Sequence, residues 1–470
     1  MHLIDLYIQM ENELSLYERK VKDFYYWNYI REEIYSNLNS YINSTPCGFS
    51  KTHISIKRMP KLIWDCIVKE EYRYSRFKDP IDILFVCHPR RIWCDKSYLS
   101  IYTDLISNKF ENSITIEYPH EGFHYKPCYT KNICYMDYMY YVRALIQKLP
   151  VYSLTDDDLN NIRSTIGLVK NYLYNHTGYT LNVDEVVKRV VFFYKRYRYT
   201  YIYFERMLKR LRPKLLVEVV HYRFENMVLN QVAKKHKIPV VELQHGLTGK
   251  YHIAYNYGDI KNNDCLPDVF LSFSDYWSNT MRLPDSIVKI QSVGFPYYER
   301  KILEFKKDSN PLYILFLSSG TIGASLSQLA IELNSLLTGT DLKIVYKLHP
   351  GEFSDWKERY PELARSDIMV IDNAEIDLYS LFSKSVAQVG VYSTALFEGL
   401  GYRLKTYILD AGHTEHVECL LTYKCALLVH NAQEIKTDLL TNGTIDIDSS
   451  FFWKEDALNN MISALSNMIN

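Results

Sequence analysis

The stretch that most constrains the fold lies between Leu215 and Leu243. An apolar run, Leu215–Val220, is followed by a helical pattern over Glu225–His236 and then by a second apolar run, Pro239–Leu243. Strand, helix and strand within about 30 residues mark a parallel βαβ crossover. Similar short runs recur on either side. Ile81–Cys87, Ser113–Tyr118, Asp268–Phe273 and Ile287–Val293 come before residue 300, and Tyr313–Leu317, Leu342–Leu348, Ile368–Ile371, Ala387–Val391 and Thr406–Leu409 come after it. Residues 1–40 and Val183–Leu211 carry apolar positions at helical spacing, the second stretch stopped by Pro213, and Lys454–Ile469 ends the chain on another such pattern. The chain therefore reads as α/β. An N-terminal domain with added helices spans 1–298, a polar linker 299–311, and a second sheet domain 312–453. A C-terminal helix, 454–470, is placed to cross back to the first domain. Two doubly wound, Rossmann-like domains facing a central cleft are the expected architecture.

Composition removes several function classes. The 470 residues hold 55 Lys+Arg against 55 Asp+Glu, so no global cationic field gathers nucleic acid. No window reaches the roughly 18 uncharged apolar residues of a membrane span. The N-terminus lacks a basic segment followed by a long apolar core, and the nine cysteines contain no C-x-x-C pair. Reduced thiols and a cytoplasmic location follow as expectations. Tyrosine is in excess, 42 residues against 20 Phe and 6 Trp, and concentrates in the N-terminal half. An AT-rich coding sequence explains such a number. Surfaces that stack on sugars or sit at lipid headgroups are the alternative, to which the placement of the tyrosines rather than their number points. The segment Val186–Lys214 joins ten Lys and Arg to eight aromatics. It reads as a helix half-buried on the sheet with a solvated cationic face, as a helix docking on an anionic membrane surface, or as a stacking surface for single-stranded nucleic acid.

Ligands of open parallel sheets bind beyond the carboxyl ends of the strands, so the residues ending each strand are the site candidates. Pro239–Leu243 ends in Gln244-His245-Gly246, Tyr313–Leu317 in Ser318-Ser319-Gly320-Thr321, Leu342–Leu348 in His349-Pro350-Gly351-Glu352, and Ala387–Val391 in Tyr392-Ser393-Thr394 before a helical run. Hydroxyls and unpaired backbone N–H groups at a helix start suit a phosphate, and they also serve as an ordinary N-cap. His349 can donate to a phosphate oxygen, with Pro350 rigidifying its turn. Glu398, one helical turn past Thr394, can accept from a ribose or base, or merely solvate a helix. His245 titrates near neutrality and is the candidate for proton transfer, with a structural strand-end imidazole as the alternative.

His120-Glu121-Gly122-Phe123-His124 matches H-E-x-x-H, a zinc motif only on a helix. Pro119, Gly122 and Pro127 argue against one there. An acceptor-side loop carrying His120, Glu121 and His124 is the better functional reading, alongside a plain polar loop, and Glu121 is the second candidate base. Gln244 is placed on the acceptor side. Asp446-Ile447-Asp448 lies in a polar segment and Asp156-Asp157-Asp158 reads as a helix start, so neither is a metal-binding D-x-D after a strand. His413 and His416 follow the last strand. No metal and no other cofactor is expected.

Taken in order, Glu242-Leu243-Gln244-His245-Gly246, Val293-Gly294-Phe295-Pro296, Lys347-Leu348-His349-Pro350 and Tyr392–Gly399 resemble the motifs of bacterial surface-polysaccharide transferases of the GT-B class. The similar groups are the HP-motif sialyl- and Kdo-transferases and the teichoic-acid glycerophosphate polymerases. The resemblance covers about residues 212–425. It implies that His349, Ser393 and Thr394 hold the donor's nucleotide phosphate and that His245-Gly246 supplies a base. The sialyltransferases place an acidic pair before Gly, where this chain has Gln244-His245. The implied function is metal-independent transfer from a nucleotide-sugar, CMP-activated by preference, to a glycan or lipid-linked glycan of capsule or lipopolysaccharide. It would run on the cytoplasmic side, peripheral to the inner membrane if Val186–Lys214 docks there. Alternatives are a glycerophosphate or sugar-phosphate transferase, a nucleotide-sugar 2-epimerase, and a non-catalytic nucleotide- or glycan-binding subunit.

Overall fold

The computed structural model describes residues 2–43, 59–88, 91–120, 122–147, 149, 151–320, 322–412, 414–440 and 449–469. In chain order the first strands are β1 (Ile83–Val86), β2 (Ile92–Cys94), β3 (Ser97–Leu99), β4 (Ser113–Glu117), β5 (Ile133–Tyr135), β6 (Leu215–Glu218), β7 (Val240–Leu243), β8 (Val269–Ser272) and β9 (Lys289–Ser292). β2 and β3 pair as an antiparallel hairpin. The other seven form one parallel sheet in the order β5-β4-β1-β6-β7-β8-β9. β1, β4, β6 and β7 are buried at every position, as strands covered on both faces must be.

Alternation along β1 divides the core. Leu84 and Val86 join a large cluster with the helices Leu3–Glu13, Trp27–Ile42 and Val183–Leu211. Ile83 and Phe85 face a second cluster, closed by Met461, Ala464 and Leu465 of the helix Ala457–Ile469. Winding runs outward from β1 to β4 and β5, then restarts on the other side at β6. The reversal between β1 and β6 opens the crevice where such sheets bind ligands.

The later strands are β10 (Tyr313–Leu317), β11 (Lys343–Lys347), β12 (Met369–Ile371), β13 (Ser385–Gly390), β14 (Lys405–Leu409) and β15 (Leu427–Val429). They form a second parallel sheet, β12-β11-β10-β13-β14-β15, whose reversal lies between β10 and β13. The chain thus contains two doubly wound, Rossmann-like units. The first comprises Met1–Phe273, Trp277–Val293 and Leu458–Asn470, and the second Ser274–Tyr276 and Gly294–Ala457.

Part of the stretch expected as a linker is helical. Pro296–Glu304 forms a helix with Pro296 in its first turn and Tyr297, Tyr298 and Lys301 buried. Its polar letters are the solvated face of an amphipathic turn, which composition alone read as linker. Just before it, Gly294 sits at φ +99°, and a Cβ there would press on Ala457. The cationic helix Val183–Leu211 turns Phe193, Tyr194, Tyr197, Tyr203 and Phe204 into the core. On its other faces Arg189 pairs with Glu33, Arg196 with Glu225 and Arg198 with Asp23. Among the described residues no helix is long and apolar enough to cross a membrane.

Candidate functional site

In the first unit, imidazoles gather at the sheet's reversal. His88 follows β1, His221 follows β6 and His245 follows β7. Val220 holds φ +68°, a left-handed conformation that a β-branched residue adopts at a cost of about 1–3 kcal/mol. Asn226 secures that turn by donating to the carbonyls of Val219 and Val220 at 2.9 and 3.0 Å. The turn sends His221 inward, where its backbone N–H and Nδ1 meet Glu242 at 3.1 and 2.6 Å. Burial pushes the Glu242 carboxyl up, but the His221 bonds and the nearby His245 outweigh it and hold Glu242 below the usual carboxylate range. Its register partner Glu218 is pushed the other way, by burial and by the charge on Glu242. The two fully buried carboxyls on adjacent strands are thus pushed in opposite directions.

Glu242 orients His245 through Tyr255. Tyr255 donates its single hydroxyl proton to Glu242 Oε1 at 2.8 Å, so its oxygen accepts from His245 Nδ1–H at 3.2 Å. Nε2 is left with a lone pair, which accepts the Tyr222 hydroxyl at 3.2 Å. Burial pushes the His245 imidazole down to about 3, helped by His88, His252 and His221 and opposed by Glu242. The His88 ring stacks on His245 with centroids 6.2 Å apart, and Tyr102 donates to the His245 carbonyl at 2.6 Å. Both ring nitrogens are thus engaged, and an imidazole held this far below its usual range is a weaker proton acceptor than the near-neutral one expected from the sequence.

In the second unit the reversal is lined by hydroxyls. Ser318 follows β10 and donates to the fully buried Glu352 at 3.0 Å. Glu352 also accepts from Tyr360 at 2.5 Å and from the His349 backbone N–H at 2.7 Å, tying the ends of β10 and β11 together. Gly323 makes room for this knot, because a Cβ there would overlap the Tyr360 hydroxyl. The exposed His349 accepts from the Gly351 N–H through Nδ1 at 3.1 Å, which puts its own proton on Nε2, the form that donates to an anion. Pro350 opens the turn that follows. Across the reversal Ser393 caps the helix Thr394–Leu400, its hydroxyl accepting from the Ala395 N–H at 3.2 Å. Ser319 and Gly320 continue the first loop, and Arg359 donates to the Gly320 carbonyl at 2.5 Å. Glu398 accepts the Tyr379 hydroxyl, and burial pushes its carboxyl up to about 7.

The structure thus brings Ser318, Ser319, Gly320, His349, Pro350, Ser393 and Thr394 to one sheet edge, and His245 to the matching edge of the other sheet. Two acceptor-side expectations, for Gln244 and His124, need correction. The Gln244 side chain is buried and braces the backbone, donating to the Gly246 carbonyl at 2.9 Å and accepting from the Phe273 N–H at 2.8 Å. Both ring nitrogens of His124 are spent on Glu117 and Asp137, each at 2.6 Å, which leaves none for an acceptor. The imidazole is buried, a cost its two carboxylate bonds outweigh, raising its basicity. His120 occupies a tight turn, bridged to Phe123, rather than a helix, so the zinc spacing is not realised. Glu121, Thr321, His413 and Asp446-Ile447-Asp448 lie outside the described residues. Sequence reasoning missed His88, His221, Tyr222, Tyr255, Glu352 and Arg359 as site residues. His88 and His221 end strands just as His245 does, and that signal was available. Tyr222 and Tyr255 carry none, being two among 42 tyrosines.

No family model matches the chain, and no curated protein matches it. Among solved structures it is similar to UDP-GlcNAc 2-epimerase from Methanocaldococcus jannaschii, 11% identical with 83% of this chain and 100% of that one covered, TM-score 0.48. The Neisseria meningitidis UDP-GlcNAc 2-epimerase bound to UDP-GlcNAc gives 12%, 83%, 100% and 0.47. MurG from Acinetobacter baumannii gives 10%, 83%, 100% and 0.46.

Proposed function

We propose that the chain is a metal-independent glycosyltransferase of the GT-B type. It moves a sugar from a nucleotide-activated donor, CMP-sugar by preference, to a glycan or lipid-linked glycan acceptor of bacterial capsule or lipopolysaccharide. The observation that carries the reading is what stands at each unit's own reversal point. In the first it is a neutral imidazole, His245, whose Nε2 accepts from Tyr222, and in the second a helix start, serine and threonine residues and His349 with its proton on Nε2. In this reading His245 takes the acceptor hydroxyl's proton as the sugar's anomeric carbon bonds to that oxygen. The bond from that carbon to the donor phosphate breaks, and its electron pair leaves with the phosphate. His349, Ser393, Thr394 and the backbone N–H groups at that helix start stabilise the departing charge.

The test is a thermal-shift panel of CMP, CDP, UDP and GDP, followed by nucleotide release from the matching nucleotide-sugar with and without glycan acceptor. Acceptor-dependent release supports transfer. Sugar interconversion without an acceptor replaces the reading with an epimerase, and no response to any of the four nucleotides replaces it with a non-catalytic glycan-binding subunit.

A further inference from the structure

Behind the tyrosine that aims His245 stands a cation from far earlier in the chain. The loop between β7 and β8 turns through Ile253–Tyr255 and carries Tyr255 and Tyr257. Tyr255 meets His245, and the Tyr257 hydroxyl lies 3.3 Å from His221 Nε2. Arg31, on the helix Trp27–Ile42, is buried and donates from Nη1 to the Ile253 carbonyl at 2.9 Å and from Nη2 to the Asn256 carbonyl at 3.1 Å. Its guanidinium lies 4.4 Å from the centre of the Tyr257 ring. One side chain thus holds the backbone on both sides of Tyr255 and the face of Tyr257.

The cation is itself held. Arg31 Nε and Nη2 donate to the two oxygens of Glu11 at 2.8 and 2.9 Å, the two-pronged pairing of a guanidinium with a carboxylate. Glu11 is buried as well, and accepts from Trp27 at 2.7 Å and Tyr17 at 3.2 Å. A second tie runs beside the first. Asn256 donates to the Gly249 and His252 carbonyls at 2.6 and 2.9 Å and accepts from Arg282, which pairs with Asp5 of the helix Leu3–Glu13. That outer pair is exposed and contributes little, whereas the Arg31–Glu11 pair is shielded from water. Desolvation offsets much of what a buried ion pair returns in stability, so stability alone is a weak reason for one. A fixed direction for Tyr255 is the reason this site supplies.

Tyr255 orients His245 only while its own turn stays in place, because a single hydroxyl must reach Glu242 and Nδ1 together. We infer that Arg31 is a positioning residue for His245, setting through the Ile253–Asn256 turn and Tyr255 which ring nitrogen carries the proton. The N-terminal helices are then part of the machinery of the reversal point, beyond covering the sheet. For turnover this role rests on His245 being the base of the proposed transfer; for the tautomer it does not.

Long-range proton–nitrogen NMR spectra of the imidazoles in the full chain test this without any substrate. His245 is expected as one tautomer, with its proton on Nδ1. Arg31→Lys keeps a cation beside Glu11 but lacks the fork that spans carboxylate and carbonyls. Glu11→Gln combined with Arg31→Met removes both charges, so that neither is left stranded. Each variant is expected to give a mixture of His245 tautomers and to raise its titration from about 3 toward the ordinary 6.5, as a loosened turn admits water. Tyr255→Phe should reproduce the mixture with Arg31 in place. In the transfer assay Arg31→Lys should lower kcat about 10–10²-fold with the KM for the nucleotide donor kept. A His245 spectrum and titration unchanged in both Arg31 variants overturns the inference. An altered spectrum with unchanged turnover supports it and removes His245 from the chemistry, and if the chain transfers no sugar the spectra still decide.

Discussion

The two units wind their sheets in the same order about a central strand and furnish the crevice in opposite ways. At the first reversal an imidazole is kept neutral by burial and aimed through Tyr255 by a buried carboxylate. At the second, a buried carboxylate ties two loops together beside a helix start capped by Ser393 and the exposed His349. The difference teaches that the fold supplies a location and the loops supply the chemistry. In both units a buried glutamate, Glu242 or Glu352, is the positioning group beneath the residues that would meet a ligand.

That contrast can be broken by substitution. His245→Ala is expected to lower turnover about 10²–10⁴-fold with nucleotide affinity retained, by steady-state kinetics beside nucleotide titration. Loss of affinity instead would move His245 to the donor side. Glu352→Leu strands the Ser318, Tyr360 and His349 donors and is expected to cost about 3 kcal/mol. Hydrogen exchange should locate that loss in the second unit, and a uniform loss would deny the units separate stability. His349→Ala should weaken nucleotide binding about tenfold with the chemical step nearly intact, read by calorimetry and single-turnover rates.

A pH experiment sharpens the comparison further. The His245 pKa is lowered from 6.5 to about 3, so its stabilising contribution is complete above 6.5 and is lost as pH falls through that interval. The Glu398 pKa is raised from 4.5 to about 7, so its contribution is complete below 4.5 and is lost as pH rises through about 7. Between 4.5 and 6.5, acidification should loosen exchange around β7 and tighten it around the helix Thr394–Leu400. His245→Gln and Glu398→Gln should each flatten only their own slope. The smallest expected effect is that of a chelator, which should leave turnover unchanged, and a requirement for added divalent cation would remove the proposed site chemistry.

The sheet strands of both units were largely legible because a parallel strand buried on both faces is a continuous apolar run. Two edge strands, β5 and β15, were not, whereas the edge strands β9 and β12 were, and the hairpin of β2 and β3 carries no turn signal strong enough to separate it from a loop. Strand-end logic placed His245, His349, Ser318 and Ser393 at the carboxyl edges of their sheets, because the topology of a parallel sheet sets where such residues stand. It could not find Tyr255, whose value comes from reaching Glu242 and His245 together. Gln244 and His124 show the converse: side chains apt for a ligand are consumed by the backbone or by carboxylates once the chain is folded.

The helix Ala457–Ile469 carries a consequence for biogenesis. Its Met461, Ala464 and Leu465 complete a face of the first unit that begins with Ile83 and Phe85. During synthesis that face stays open until the helix Ala457–Ile469 has left the ribosome. A nascent chain thus exposes Ile83, Phe85, Leu215 and Val217 until that helix arrives, an interval in which aggregation competes with folding. Truncation ahead of Met461 would therefore damage the unit made first, and chaperone demand should track the arrival of this helix.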